Sequence, residues 1–133
     1  MSEPVAFVSH FQVKDGAPAG LEQLSRDMTH ELQAAKPRTL VYLAFMDQNR
    51  ARVTFFHVFA DEESMELHFE GAAERSRAAF ELMVPDGWEV YGRPSDEAIE
   101  TLRQAAAATG VSLTVQPVFM AGFLRLTPAL DAS

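Results

Sequence analysis

Four histidines and a few aromatic side chains carry most of the chemistry that this 133-residue chain can offer. His68 stands one helical turn after Met65 and one before Ala72, which puts it on or beside an apolar helix stripe. An imidazole there can act as general acid or base toward a pocket, because its ordinary pKa lies near neutrality. The plainer role is a boundary histidine bonded to a backbone carbonyl. His57 alternates with Val53, Phe55 and Phe59 and shares their strand face, while His10 shares one with Ala6, Val8 and Gln12. If their strands are antiparallel neighbours paired near their midpoints, His10 and His57 lie across from each other. Two imidazoles so placed can hold a proton or a metal, or form one polar pair in an interface. Without a nearby carboxylate they make a poor metal site, and no metal is expected. Tyr42, Trp88, Tyr91 and Phe119 can line a cavity for a phenol or quinol, or serve as ordinary core and interface aromatics. His30 and the Arg75/Arg77 pair read as solvated helix-face residues.

Much other chemistry is excluded. The sequence has no phosphate-binding glycine loop, no H-E-x-x-H and no G-x-S-x-G. It has no cysteine, which removes disulfides, thiolate metal sites, iron–sulfur clusters and cysteine nucleophiles. The formal charge is −8, and the 11 basic residues are scattered, so nucleic acid and anionic membrane are poor partners. No stretch is apolar and long enough to span a bilayer. Met1-Ser2-Glu3-Pro4 does not open a signal peptide, and the expected location is the cytoplasm.

The elements that must position these residues follow from periodicity and punctuation. One domain over 1–133 is expected, with an ordered core of about 4–126. Ten phenylalanines imply a phenylalanine-rich core or a cavity lined with them. Residues 5–13 read as a strand ending at Lys14-Asp15-Gly16. Leu21, Leu24, Met28, Leu32 and Ala35 form a helix stripe between Pro18 and Pro37. Residues 39–46 and 52–60 read as hairpin strands, apolar on both faces. Asp61 caps a helix over 62–83 whose stripe is Met65, Phe69, Ala72, Ala73, Ser76, Phe80 and Met83. Pro85-Asp86-Gly87 reads as a turn before a short strand over 88–92. Ser95 caps a helix over 95–109 with Ile99, Leu102 and Ala106 inward and Gly110 at its end. A last strand runs near 111–119, and Ala121–Arg125 closes the core. The order β-α-β-β-α-β, then α-β, is the ferredoxin-like split βαβ arrangement, an α+β antiparallel sheet with helices on one face, plus an added C-terminal helix and strand. The other sheet face is apolar and needs cover. Two-fold pairing with a second copy supplies it, with the C-terminal strand reaching over the partner.

With these elements the chain resembles the antibiotic biosynthesis monooxygenase-like superfamily of dimeric α+β barrels over most of residues 5–126. The resemblance is carried by the first strand running into Val13-Lys14-Asp15-Gly16, the hairpin around Tyr42 and Phe56, and above all Phe59-Ala60-Asp61-Glu62-Glu63-Ser64-Met65-Glu66-Leu67-His68. The tail Val111–Pro117 followed by Gly122-Phe123-Leu124-Arg125 is similar to the C-terminal strand of quinol monooxygenase-type members. The resemblance implies a homodimer and a cofactor-independent monooxygenase acting on a small aromatic, quinol-like substrate in an apolar pocket. His68 or His57 would be the catalytic base, and Tyr42, Phe59, Trp88 and His10 would bind the substrate. The pocket would lie between the sheet and the helix of 62–83, with His68 pointing inward near Phe59 and Tyr42. Departures are also plain: Phe59 stands where relatives often carry Trp, and Ala73-Glu74-Arg75-Ser76 where they often carry a second His. The Asn, Trp and His of haem-degrading relatives would fall at Ser9, Phe59 and near Ala78, so haem degradation is not expected. The alternative readings are a non-catalytic dimeric module that binds a small ligand or regulates a partner, and an isomerase or cyclase using the same base without oxygen.

Overall fold

The structure, a computed structural model, describes residues 3–125, so Met1, Ser2 and residue 126 of the expected core lie outside the described residues. The elements are β1 (Val5–Val13), α1 (Pro18–Ala35), β2 (Thr39–Met46), β3 (Arg52–Phe59), α2 (Glu62–Phe69), α3 (Ala72–Phe80), β4 (Met83–Tyr91), α4 (Asp96–Thr109) and β5 (Leu113–Gln116). They form one five-stranded sheet in the order β2-β3-β1-β4-β5. The first four strands are antiparallel, as the ferredoxin-like order requires. The α4 crossover brings β5 parallel to β4.

Strand alternation divides the sheet into two faces. Val5, Phe7 and Phe11 of β1 and Val53, Phe55 and Phe59 of β3 point to the helices and are all buried. They join two core clusters, one with Met65, Trp88, Val90 and Ala106, the other with Leu21, Ala79 and Met83. The opposite face carries no helix, and Leu43, Phe45 and Phe56 stand exposed on it at 48%, 57% and 38%.

The single helix expected over 62–83 is two helices. Glu70 leaves the helical region at φ −60°, ψ 125°, and Gly71 turns the chain at φ +76°. The break is silent in the apolar pattern because Phe69 and Ala72 are three apart whether or not the helix continues. In consequence Ala73 and Phe80 are exposed rather than buried, and Met83 begins a strand. That strand also overturns the expected turn at Pro85–Gly87. Phe11 pairs with Pro85 and His10 with Gly87, and the register shift between them absorbs Asp86 as a bulge. A bulge tolerates a proline that lacks a ladder N–H.

The last strand is shorter than expected. Residues 113–116 pair with β4 of the same chain. The Trp88 N–H donates to the Ser112 carbonyl at 3.0 Å, and the Gly92 N–H to that of Gln116 at 2.9 Å. Ser95 caps α4 by accepting from the Ala98 N–H at 3.2 Å, and Gly110 ends it at φ +72°. No helix among the described residues is long and apolar enough to cross a membrane.

Candidate functional site

A cavity of about 230 Å³ lies between the sheet and helices α1, α2 and α3. Its walls are mostly aromatic and aliphatic, including Phe7, Phe11, Phe55, Phe69 and Trp88. Four titratable side chains converge on it from different elements, Tyr42 from β2, His57 from β3, His68 from α2 and Arg75 from α3, with the hydroxyls of Ser9, Ser25 and Ser76 also on its walls.

Each is placed by a local rule. His57 occupies an inward position of β3, so an imidazole replaces a phenylalanine in the row Phe55, His57, Phe59. It is 7% exposed and packs against Phe7, with ring centroids 5.5 Å apart, and Tyr42, at 5.2 Å. Its Nδ1–H donates to the Phe7 carbonyl at 3.2 Å, which leaves Nε2 with a lone pair. His68 is in the last turn of α2, a helix opened by Asp61, which accepts from the Ser64 N–H at 2.8 Å. Only 2% of His68 is exposed, and its ring lies 5.1 Å from that of His57. Its Nδ1 shares a 2.6 Å hydrogen bond with Thr39 Oγ1 at the start of β2. When Nδ1–H donates to that hydroxyl, Nε2 of His68 is also free to take a proton.

The C-terminal end of α2 is tied down by two cations. Lys36 Nζ donates to the Leu67 carbonyl at 2.7 Å and to that of Glu70 at 3.2 Å. Arg75 donates from Nη2 to the His68 carbonyl at 2.8 Å and from Nη1 to the Glu70 carbonyl at 3.2 Å. These bonds satisfy carbonyls that the helix end leaves unpaired.

The electrostatics of the pocket follow. Burial pushes the His57 pKa down to about 4, with Arg75 adding to the fall and the Phe7 carbonyl opposing it. Burial likewise pushes His68 down to about 3, helped by His57, Arg75 and Lys36. A histidine at a helix C-terminus gains roughly 0.3–1 kcal/mol for its charged form. Lowering His68 from 6.5 to about 3 corresponds to several kcal/mol against it, so burial among cations wins. Both imidazoles are neutral at pH 7. Burial raises the Tyr42 hydroxyl to about 12, partly offset by Arg75. That hydroxyl donates to Met28 Sδ at 3.5 Å, a weak partner.

The expected residues are only partly brought together. Tyr42, His57, His68 and Trp88 line one cavity. Phe59 is fully buried behind them, its ring 5.2 Å from His68 and 6.2 Å from His57, and supports the histidines without lining the space. His10 does not face His57. His57 pairs with Phe7 and His10 with Thr54, so the two histidines occupy opposite sheet faces. On the open face His10 Nδ1 bonds Thr54 Oγ1 at 3.1 Å, and His10 Nε2 and the Tyr91 hydroxyl both bond the Glu89 carboxylate. Tyr91 and Phe119 border a different cavity, beside the C-terminal segment.

Arg75, read as solvated from the sequence, is half-buried and lines the cavity. The available signal was its spacing: seven residues after His68, beside Ala72 and Ser76 of the same stripe. Thr39, which orients His68, carried no such signal.

No family model matches the sequence, and no curated protein does either. Solved structures do. MupZ from Pseudomonas fluorescens superposes with a TM-score of 0.72 at 16% identity, covering 96% of this chain and 100% of that one. That share is too large to omit α4 and β5. SnoaB, a cofactor-independent oxygenase from Streptomyces nogalater, gives a TM-score of 0.57 at 18% identity over 71% of this chain and 96% of its own. An antibiotic biosynthesis monooxygenase-type structure from Caulobacter crescentus gives 0.59 at 17% over 67% and 88%. Identities this low speak for the backbone alone, and on that ground the chain has the ferredoxin-like α+β fold of the antibiotic biosynthesis monooxygenase-like proteins.

Proposed function

We propose that the protein is a cofactor-independent monooxygenase that oxidises a small aromatic, quinol-like molecule in this cavity. The observation that carries the reading is the pair of neutral imidazoles, 5.1 Å apart, in an apolar pocket shielded by three helices. A neutral imidazole Nε2 can take a proton from a phenol; its lowered pKa makes it a weak base alone, and the attraction between imidazolium and phenolate, strengthened by the low-polarity walls, has to offset that. The substrate anion then supplies the electrons. Its carbon bonds to oxygen, and the resulting hydroperoxide loses water to leave a ketone, so a substrate CH₂ and one O₂ yield C=O and H₂O. His68 is the favoured base because Thr39 orients its ring, with His57 beside it. Tyr42 and Trp88 hold the substrate and Phe59 backs the histidines. His10, on the opposite face, has no part in this site.

The protein is further proposed to work as a homodimer through its open sheet face. Leu43, Phe45 and Phe56 make an exposed apolar patch there, and a second copy would bury it. Oxygen uptake by purified protein over a panel of quinols, with metal content measured in parallel, tests the activity. Uptake on at least one quinol by metal-free protein is expected. Its absence across the panel would favour the ligand-binding module. Sedimentation at micromolar concentration should give a dimer.

A further inference from the structure

We propose that Arg75 is the ligand-binding residue of this cavity and that the pocket takes a small aromatic anion, its ring against the phenylalanine walls and its anionic oxygen on the guanidinium. The proposal rests on the reading that this cavity holds an aromatic molecule. It does not depend on that molecule being oxidised.

Among the described residues lining the cavity, Arg75 is the only one with a fixed charge. No carboxylate lies within ion-pairing distance of it among the described residues; Arg38, Arg50 and Arg77 have such partners, and of the arginines without one Arg75 is the one on the cavity wall. Two of its donor nitrogens are engaged with the carbonyls of His68 and Glu70. A guanidinium carries five N–H donors, so others remain for a ligand. Its positive charge reaches Tyr42, His57 and His68, the other titratable groups lining the pocket, on three different elements. A half-buried cation facing an apolar space gains most from a partner that is itself an anion with an apolar body. The whole chain carries −8, which repels anions at long range, but at physiological salt that field is screened beyond about 8 Å and the local cation decides.

The arrangement couples ligand to proton. The charged and titratable groups that act on His68 all disfavour its protonation, His57 from β3, Arg75 from α3 and Lys36 from the loop before β2, while Tyr42 of β2, its ring 6.3 Å away, is neutral. An anion seated on Arg75 cancels part of that field. The histidines then become stronger bases once the ligand is in place.

Two probes distinguish the anionic group. Calorimetry at pH 7.5 compares 2-hydroxybenzoate with its neutral methyl ester, and the visible phenolate band of 4-nitrophenol reports whether a phenolate is bound. For one of the two groups we expect binding to favour the anion, with Arg75→Gln weakening it about 10- to 100-fold while leaving the ester unchanged. Arg75→Lys should recover part of the loss. If Arg75→Gln does not fold, the native protein still decides. Binding of the acid should raise the NMR titration midpoints of His57 and His68, and binding of the ester should not. Equal affinity for acid and ester together with no enhancement of the phenolate band overturns the proposal, as does a folded Arg75→Gln that binds the anions as tightly as the native protein. Anion binding that depends on Arg75 without oxygen uptake would sink the oxygenase and keep this inference. Oxygen uptake on neutral quinols with no anion preference would do the reverse.

Discussion

The two faces of the sheet use the same side chain in opposite company. On the helix side His57 and His68 are buried beside Arg75, and both are depressed to about 4 and about 3. On the open side His10 has the Glu89 carboxylate as its partner, and Glu89 is held below its usual range by Tyr91 and His10. One face therefore holds two neutral imidazoles whose protonation is disfavoured; the other holds a hydrogen-bonded chain of side chains from Thr54 to Tyr91. What a histidine does here is set by the neighbour that the strand register hands it. For His57 and His10 the difference in company is one face of the sheet.

The largest expected effect separates the faces by activity. His68→Gln should lower the oxygenase rate about 10²- to 10⁴-fold, as loss of a general base does. His10→Gln should change it by no more than a few-fold. Equal losses would erase the distinction between the faces, and a full loss from His57→Gln alone would move the base to the strand. Next comes packing. Phe59→Ala, fully buried, should cost about 3–5 kcal/mol in denaturant unfolding, and Phe45→Ala on the open face well under that.

The third concerns acid. His57 and His68 have folded pKa values below the unfolded 6.5, so the unfolded chain takes up protons first as pH falls. Stability should be complete above about pH 6.5 and decline through pH 4, by on the order of 3 kcal/mol from His57 alone. A pH series of urea melts should show this slope, and His57→Phe should flatten it. The smallest effect is on the open face. Glu89→Gln should shift monomer stability by less than about 1 kcal/mol, because a half-exposed pair is screened by solvent. A larger loss at micromolar concentration, absent on dilution, would put this cluster inside a dimer interface.

How much of this was legible depended on whether the deciding interaction was local. The strands 5–13 and 39–46 and the helices near 18–35 and 95–109 were readable because Pro18, Pro37, Ser95 and Gly110 mark ends by chain chemistry alone. His68 was readable as inward from its spacing to Met65 and Ala72. The split between α2 and α3 was not, because a two-residue interruption preserved the three-residue step. The facing of His10 and His57 was not, because which faces meet across a ladder is a matter of register parity. Arg75 was missed for the same reason as the split: only the turn at Gly71 swings α3 so that its guanidinium reaches back to the His68 carbonyl.

The central position of β1 has a consequence for synthesis. Val5–Val13 is made before both of its ladder partners, Arg52–Phe59 and Met83–Tyr91. An apolar strand must wait for residue 59 before one edge is satisfied and for residue 91 before the other, and such long-range pairing is slow and exposed to aggregation. The cavity waits with it: Trp88 of its wall is made some eighty residues after Phe7 and Phe11 of its floor. Chains that stop short of β4 therefore leave one edge of β1 unpaired.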